Sequence, residues 1–94
     1  RAQVQQESSA ETTKGNRISI YCSHPNIRTN QVIIWYRQLP GRSLEIITIA
    51  AGGSRDVENP PGRLWVAADR RSSALWLFQP HSGDTGMYYC ALEV

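Results

Sequence analysis

A chain of 94 residues, 40% apolar and 19% charged, makes one domain whose small core would leave it marginally stable without a staple. Ten basic and eight acidic side chains leave a formal charge of +2, too slight to mark a nucleic-acid partner. No stretch holds the ~20 apolar residues that a membrane-spanning helix needs, and the opening Arg1-Ala2-Gln3 is no signal peptide, so a processed ectodomain or a piece of one is expected.

Gln3 to Ser8 is expected as a short edge strand, and Thr12-Thr13-Lys14-Gly15-Asn16 as the turn that sends the chain into a sheet. Arg17 to Cys22 then alternates. Ile18, Ile20 and Cys22 face one way, Arg17, Ser19 and Tyr21 the other, as in an antiparallel sheet buried on one side. From Ser23 to Asn30 the chain is polar and irregular, a loop with Ile27 as its one apolar member. Strand character resumes from Gln31 through Val32 to Gln38, where both faces are largely apolar. With Ile33 and Trp35 turned to the core, Ile34, Tyr36 and Gln38 occupy the opposite face, and burying an aromatic there requires a second surface.

Leu39-Pro40-Gly41-Arg42 reads as a turn, Leu44 to Ile49 as the next strand, with Leu44 near that same outer face. Ala50 to Asp56 is a second irregular segment. A short extended piece follows, and Asn59-Pro60-Pro61-Gly62 stops strand pairing. Arg63 to Ala68 and Ser73 to Phe78 form two alternating runs joined by Asp69-Arg70-Arg71-Ser72, as in a hairpin. Leu64, Val66, Leu75 and Leu77 take the core face, and Trp65 and Trp76 point outward, close enough to stack as a surface pair. Gln79 to Asp84 is the turn before the last strand, with Asp84 expected to form an ion pair with Arg63 that clips the bottom of the sandwich. In Met87 to Leu92, Tyr88 and Cys90 share the core parity, which puts Tyr89 on the outer face with Tyr36 and Gln38.

Cys22, Trp35 and Cys90 have the order and spacing with which an immunoglobulin-type sandwich pins its two sheets together, and Tyr88, two before the second cysteine, stands where such sandwiches place a corner tyrosine. Trp35, Leu75 and Tyr88 are the expected core framework. A Cys22–Cys90 disulfide would close a loop of nearly the whole domain and requires an oxidising compartment; two buried thiols are the alternative. The remaining chemistry is thin. His81, Ser82 and Asp84 fall in one surface turn without pocket-forming glycines, so no catalytic residue is expected. His24, His81, Glu93 and the cysteines show no metal-ligand spacing, and neither metal nor cofactor is expected. Arg70-Arg71, with Arg17, Arg28, Arg42 and Arg55, read as solvated positions, not a phosphate groove. No Asn-x-Ser/Thr acceptor occurs.

Trp35-Tyr36-Arg37-Gln38-Leu39-Pro40-Gly41 and Asp84 to Leu92 resemble T-cell receptor variable domains, and the likeness covers the whole chain. The Ala91-Leu92 after the second cysteine is similar to the alpha/delta group. Glu7 to Cys22 and Arg63 to Trp76 resemble an avian alpha variable segment. The resemblance implies an all-β, immunoglobulin variable-type β-sandwich. It implies three ligand-contacting loops, with Asn26, Ile27, Arg28, Thr29 and Asn30 in the first, Ala51, Gly52, Gly53 and Ser54 in the second, and Leu92 and Glu93 opening the third, plus a fourth hypervariable turn at Asp69 to Ser73. Arg28 and Asn30 are the residues expected to make directional contacts and Ile27 to pack, while Gly52 and Gly53 serve loop conformation. It also implies that Tyr36, Gln38, Leu44 and Tyr89 meet a paired variable domain, such as a beta chain, and that the receptor reads peptide held by a major histocompatibility molecule. The expected location is the cell surface, extracellular, with the membrane reached only through segments outside this chain. A delta or gamma chain binding other surface ligands shares these features; a non-rearranging adhesion or innate receptor domain shares the fold but should lack the polar-aromatic outer face. Residues 1–94 are thus expected to be one variable domain that stops at Val94, before the joining-segment Phe-Gly-x-Gly, with the final strand missing and the last cysteine strand left as an open edge.

Overall fold

The computed structural model describes residues 5–6, 17–79, 82–84 and 86–94. The expected turn at 12–16, the parts of the 3–8 strand flanking Gln5–Gln6, and His81 lie outside the described residues. In chain order the strands are β1 (Gln5–Gln6), β2 (Ile18–Ser23), β3 (Val32–Gln38), β4 (Glu45–Ala50), β5 (Arg55–Val57), β6 (Gly62–Val66), β7 (Ser72–Leu77) and β8 (Met87–Glu93), with a short 3-10 turn at Ser82–Asp84. They form two antiparallel sheets, one ordered β1-β2-β7-β6-β5 and the other β4-β3-β8.

Period-two patterning explains which faces meet. Ile20 and Cys22 in β2, Leu64 and Val66 in β6, and Leu75 and Leu77 in β7 are buried between the sheets, while Tyr21, Trp65 and Trp76 stand outside. Ile33 and Trp35 from β3 and Tyr88 from β8 fill the core from the opposite side, all fully buried. Cys22 and Cys90 form a disulfide between the two sheets, with their Cα atoms 6.5 Å apart. The fold is therefore an all-β immunoglobulin variable-type sandwich. On the outer face of the larger sheet Trp76 lies opposite Arg63 and Trp65 opposite Ala74, so the two indoles are diagonal neighbours. Gly62 opens β6 where a Cβ would sit 1.9 Å from the Trp76 carbonyl oxygen, an approach only glycine permits.

Two features depart from what the alternating pattern suggests. Variable-type domains commonly extend the sheet that carries the second cysteine by two strands. Among the described residues only β4 joins β3 and β8, and the three-residue β5 pairs with β6 in the other sheet. The register of that pair, with Asp56 opposite Arg63, explains the second departure: Arg63 Nη1 donates to Asp56 Oδ1 at 2.7 Å and does not form the expected pair with Asp84. Arg63 has the outward parity of Trp65, whereas Asp84 is buried at the base of the sandwich. The guanidinium that approaches Asp84 is that of Arg37, Nη1 to Oδ1 at 3.4 Å.

Candidate functional site

One candidate surface is the outer face of the β4-β3-β8 sheet. Side chains directly paired across a sheet share a face, so Tyr36 of β3 groups with Tyr89 of β8 and Ile46 of β4, Ile34 with Ala91 and Ile49, and Gln38 with Met87. Parity along β3 alone points to Tyr36, Gln38 and Tyr89; Ile46 and Ile49 join them only once the β3–β4 register is known. That register shifts between Trp35 and Tyr36, where Ile47 is the extra residue on β4. Ile46 is 56% exposed and Ile49 43%, so this face carries large apolar side chains in contact with solvent; Leu44, just before β4, is 51% exposed. Tyr36 and Tyr89 are half-buried, and the Gln38 amide donates to the Arg42 carbonyl at 3.2 Å, which leaves its oxygen directed away from that bond.

Arg37 supports this face from behind. It has the core parity of Trp35 and is 7% exposed, an unusual position for a cation. Its Nε donates to Glu45 Oε1 at 2.6 Å, and Nη1 reaches Asp84. Burial works against the charged form, but the hydrogen bonds and charges of Glu45 and Tyr88 together outweigh it and raise the guanidinium pKa, so Arg37 stays protonated. Next to it Tyr88 is fully buried and donates its hydroxyl to the Asp84 carbonyl at 2.5 Å. Burial pushes the phenol pKa up, with the Arg37 charge opposing. The signal for Arg37 is present in the sequence, since Ile33, Trp35 and Arg37 share a parity; its acidic partners are not.

The second candidate surface is the end of the sandwich where the irregular segments meet. Val32 pairs with Glu93 and Ile33 with Ala50, while Ser23 pairs with Ser72, so the loops after β2 and β4, the β6–β7 turn and the end of β8 lie at one pole. The first loop is built from tight turns: Ile27 N–H donates to the His24 carbonyl, Gln31 N–H to the Arg28 carbonyl, and Arg28 N–H to Gln31 Oε1. Asn26, Arg28, Thr29 and Asn30 are exposed, and half-buried Ile27 packs against the core. Ala51, Gly52, Gly53 and Ser54 are exposed, with Gly53 at φ +71°. Of the residues expected to contact a ligand, Leu92 is placed differently: it pairs with Ile33 on the inner face of β8 and packs against the core, because the strand continues to Glu93, which is exposed.

Two residues of this pole escaped the sequence reading. His24 is fully buried, with Nε2 3.1 Å from Ser73 Oγ and its main-chain N–H donating to the Arg71 carbonyl. Burial lowers its pKa, helped by the Arg70 charge and opposed by nearby carbonyls and Asp69. Arg70, expected as a solvated turn residue, is instead half-buried and donates to carbonyls of both neighbouring loops. Neither role has a sequence signal, since each depends on how two loops distant in the chain come together.

An exposed apolar sheet face on one side and clustered loops at one end define a receptor-type variable domain. The immunoglobulin V-set domain model matches residues 5–94. Human T cell receptor alpha variable 26-1 is 30% identical over 99% of this chain and 84% of its own length, and human T cell receptor alpha variable 2 is 29% identical over 97% and 76%. A crystal structure of a chicken TCR superimposes with a TM-score of 0.88 at 56% identity over 97% of this chain, which spans 46% of that receptor chain. The chain belongs to the immunoglobulin V-set family, among the T-cell receptor variable domains of alpha type. Among the described residues no helix is long and apolar enough to cross a membrane.

Proposed function

We propose that this chain, as one domain over residues 1–94, is the alpha half of an antigen-recognition unit at the cell surface, outside the plasma membrane. The outer face of β4-β3-β8 pairs with a beta-type variable domain through Tyr36, Gln38, Leu44 and Tyr89, with Ile46 and Ile49 completing the contact. The loops at the pole then contact peptide presented by a major histocompatibility molecule, through Asn26, Arg28, Thr29 and Asn30, Ala51 to Ser54, and Glu93. The chemistry is binding alone: a rigid sandwich holds exposed loop side chains in place.

One observation carries the reading. Leu44, Ile46 and Ile49 expose large apolar side chains beside two half-buried tyrosines and a glutamine, the mixture of aliphatic, aromatic and hydrogen-bonding groups found at the centre of protein interfaces. Co-expression with beta-type variable chains followed by measurement of molecular size tests it. A heterodimer is expected, and the Tyr36→Asp, Tyr89→Asp double variant should remain oxidised and folded but monomeric. A chain that stays monomeric with every beta-type partner, or a double variant that still pairs, overturns the assignment.

A further inference from the structure

We infer that Arg70 is a positioning residue that fixes the first two recognition loops relative to each other. Its guanidinium reaches both. Nε donates to the Ala51 carbonyl of the second loop at 2.5 Å, Nη2 donates to the Gln31 carbonyl, and Nη1 reaches the Arg28 carbonyl of the first loop at 3.4 Å. A single planar fork thus gathers three main-chain oxygens from two loops about twenty residues apart in the sequence. Hydrogen bonds from a charged donor are roughly twice as strong as neutral ones.

The turn is built to deliver that fork. Arg70 adopts φ +62°, a left-handed conformation that few side chains other than Gly, Asn and Asp occupy readily. The surrounding contacts hold it there: Arg70 N–H donates to the Ala67 carbonyl, Ala67 N–H to the Ser72 carbonyl, and Arg71 N–H to Asp69 Oδ1. From beneath, His24 grips the Arg71 carbonyl and Ser73 Oγ, tying the turn to the start of the first loop. The aliphatic stem runs along Gly52, where an added Cβ would come to 3.8 Å from Arg70 Cδ. The turn between β6 and β7 therefore acts on recognition without touching a ligand: it selects one arrangement of Arg28 and Asn30 against Ala51 to Ser54. This deepens the antigen-recognition reading and rests on it for its consequence, although the clamp itself needs no ligand.

Hydrogen exchange on the oxidised full-length chain tests the clamp directly. Arg70→Asn retains a residue that tolerates positive φ and removes the fork, and Arg70→Lys retains the charge as a single point donor. In Arg70→Asn the amides of residues 26–31 and 50–54 should exchange about tenfold faster or more, with those of β2, β3 and β8 unchanged, the pattern of a local opening. Arg70→Lys should restore only part of the protection. Unchanged loop exchange in Arg70→Asn, equal loosening of the strands, or full protection in Arg70→Lys would each overturn the inference. Because the readout uses neither peptide nor partner, failure of the antigen reading would show separately, as loosened loops whose substitution leaves binding to peptide-presenting cells unaltered.

Discussion

The Tyr88 hydroxyl donates to the Asp84 carbonyl at 2.5 Å, bridging the 3-10 turn and the strand that carries the second cysteine. Tyr88 is fully buried two residues before Cys90, so this bond ties the corner of the sandwich to the disulfide strand inside a region shielded from water.

Tyr88→Phe keeps the ring and its packing while deleting that bond. Net loss of a buried hydrogen bond of this kind lowers stability by about 1–2 kcal/mol. Chemical denaturation should show an earlier midpoint with an unchanged slope, since the surface exposed on unfolding is the same. A midpoint equal to that of the unaltered chain would mean the hydroxyl contributes nothing beyond packing.

Arg37 gives a sharper contrast because its two carboxylate contacts differ in environment. The Asp84 side chain is 6% exposed and the Glu45 side chain 51%. Withdrawing the guanidinium by Arg37→Ala disturbs a buried ionic contact and should lower stability by about 3 kcal/mol or more. Glu45→Gln removes only the half-exposed partner, for which solvent screening limits the loss to about 1 kcal/mol or less. Equal losses in denaturant titrations of the two variants would contradict the assignment of Asp84 as the more consequential contact, even though Glu45 lies closer.

The contrast also shows how much of this molecule is legible in its sequence. Ile18-Ser19-Ile20-Tyr21-Cys22 and Leu64-Trp65-Val66 alternate because each strand has one wet and one dry face, so parity alone orients them. The same parity places Tyr36 and Tyr89 together outside the smaller sheet. It places Arg37 inside as well, but the identity of its partners depends on a β-bulge opposite the Trp35–Tyr36 step and on a turn far along the chain. Sequence position alone suggests an Arg63–Asp84 pair, whereas the register of a three-residue strand, too short for any periodicity, sets Arg63 against Asp56. At the recognition pole the polar composition announces loops, but not that a histidine and an arginine hold them. Such contacts join segments far apart in sequence, and no local pattern encodes them.

His24 makes stability at this pole depend on pH. In the unfolded chain a histidine takes up a proton near its ordinary pKa of about 6.5, whereas burial between the first loop and the β6–β7 turn lowers the folded value, with Arg70 adding repulsion and Asp69 and main-chain carbonyls opposing. Between the two values the unfolded state binds more protons than the folded one, so stability rises with pH. The contribution is therefore fully present above about pH 6.5 and is lost progressively as the pH falls through that value toward the lowered folded pKa. Subtracting the curve of His24→Gln from that of the unaltered chain removes every contribution the two chains share. Thermal unfolding between about pH 5.5 and 7.5 should give a difference that favours the unaltered chain increasingly as pH rises and levels off above about 6.5. A flat difference, or one of the opposite slope, would show that His24 is hydrated or charged in the folded chain, contrary to its complete burial against Ser73.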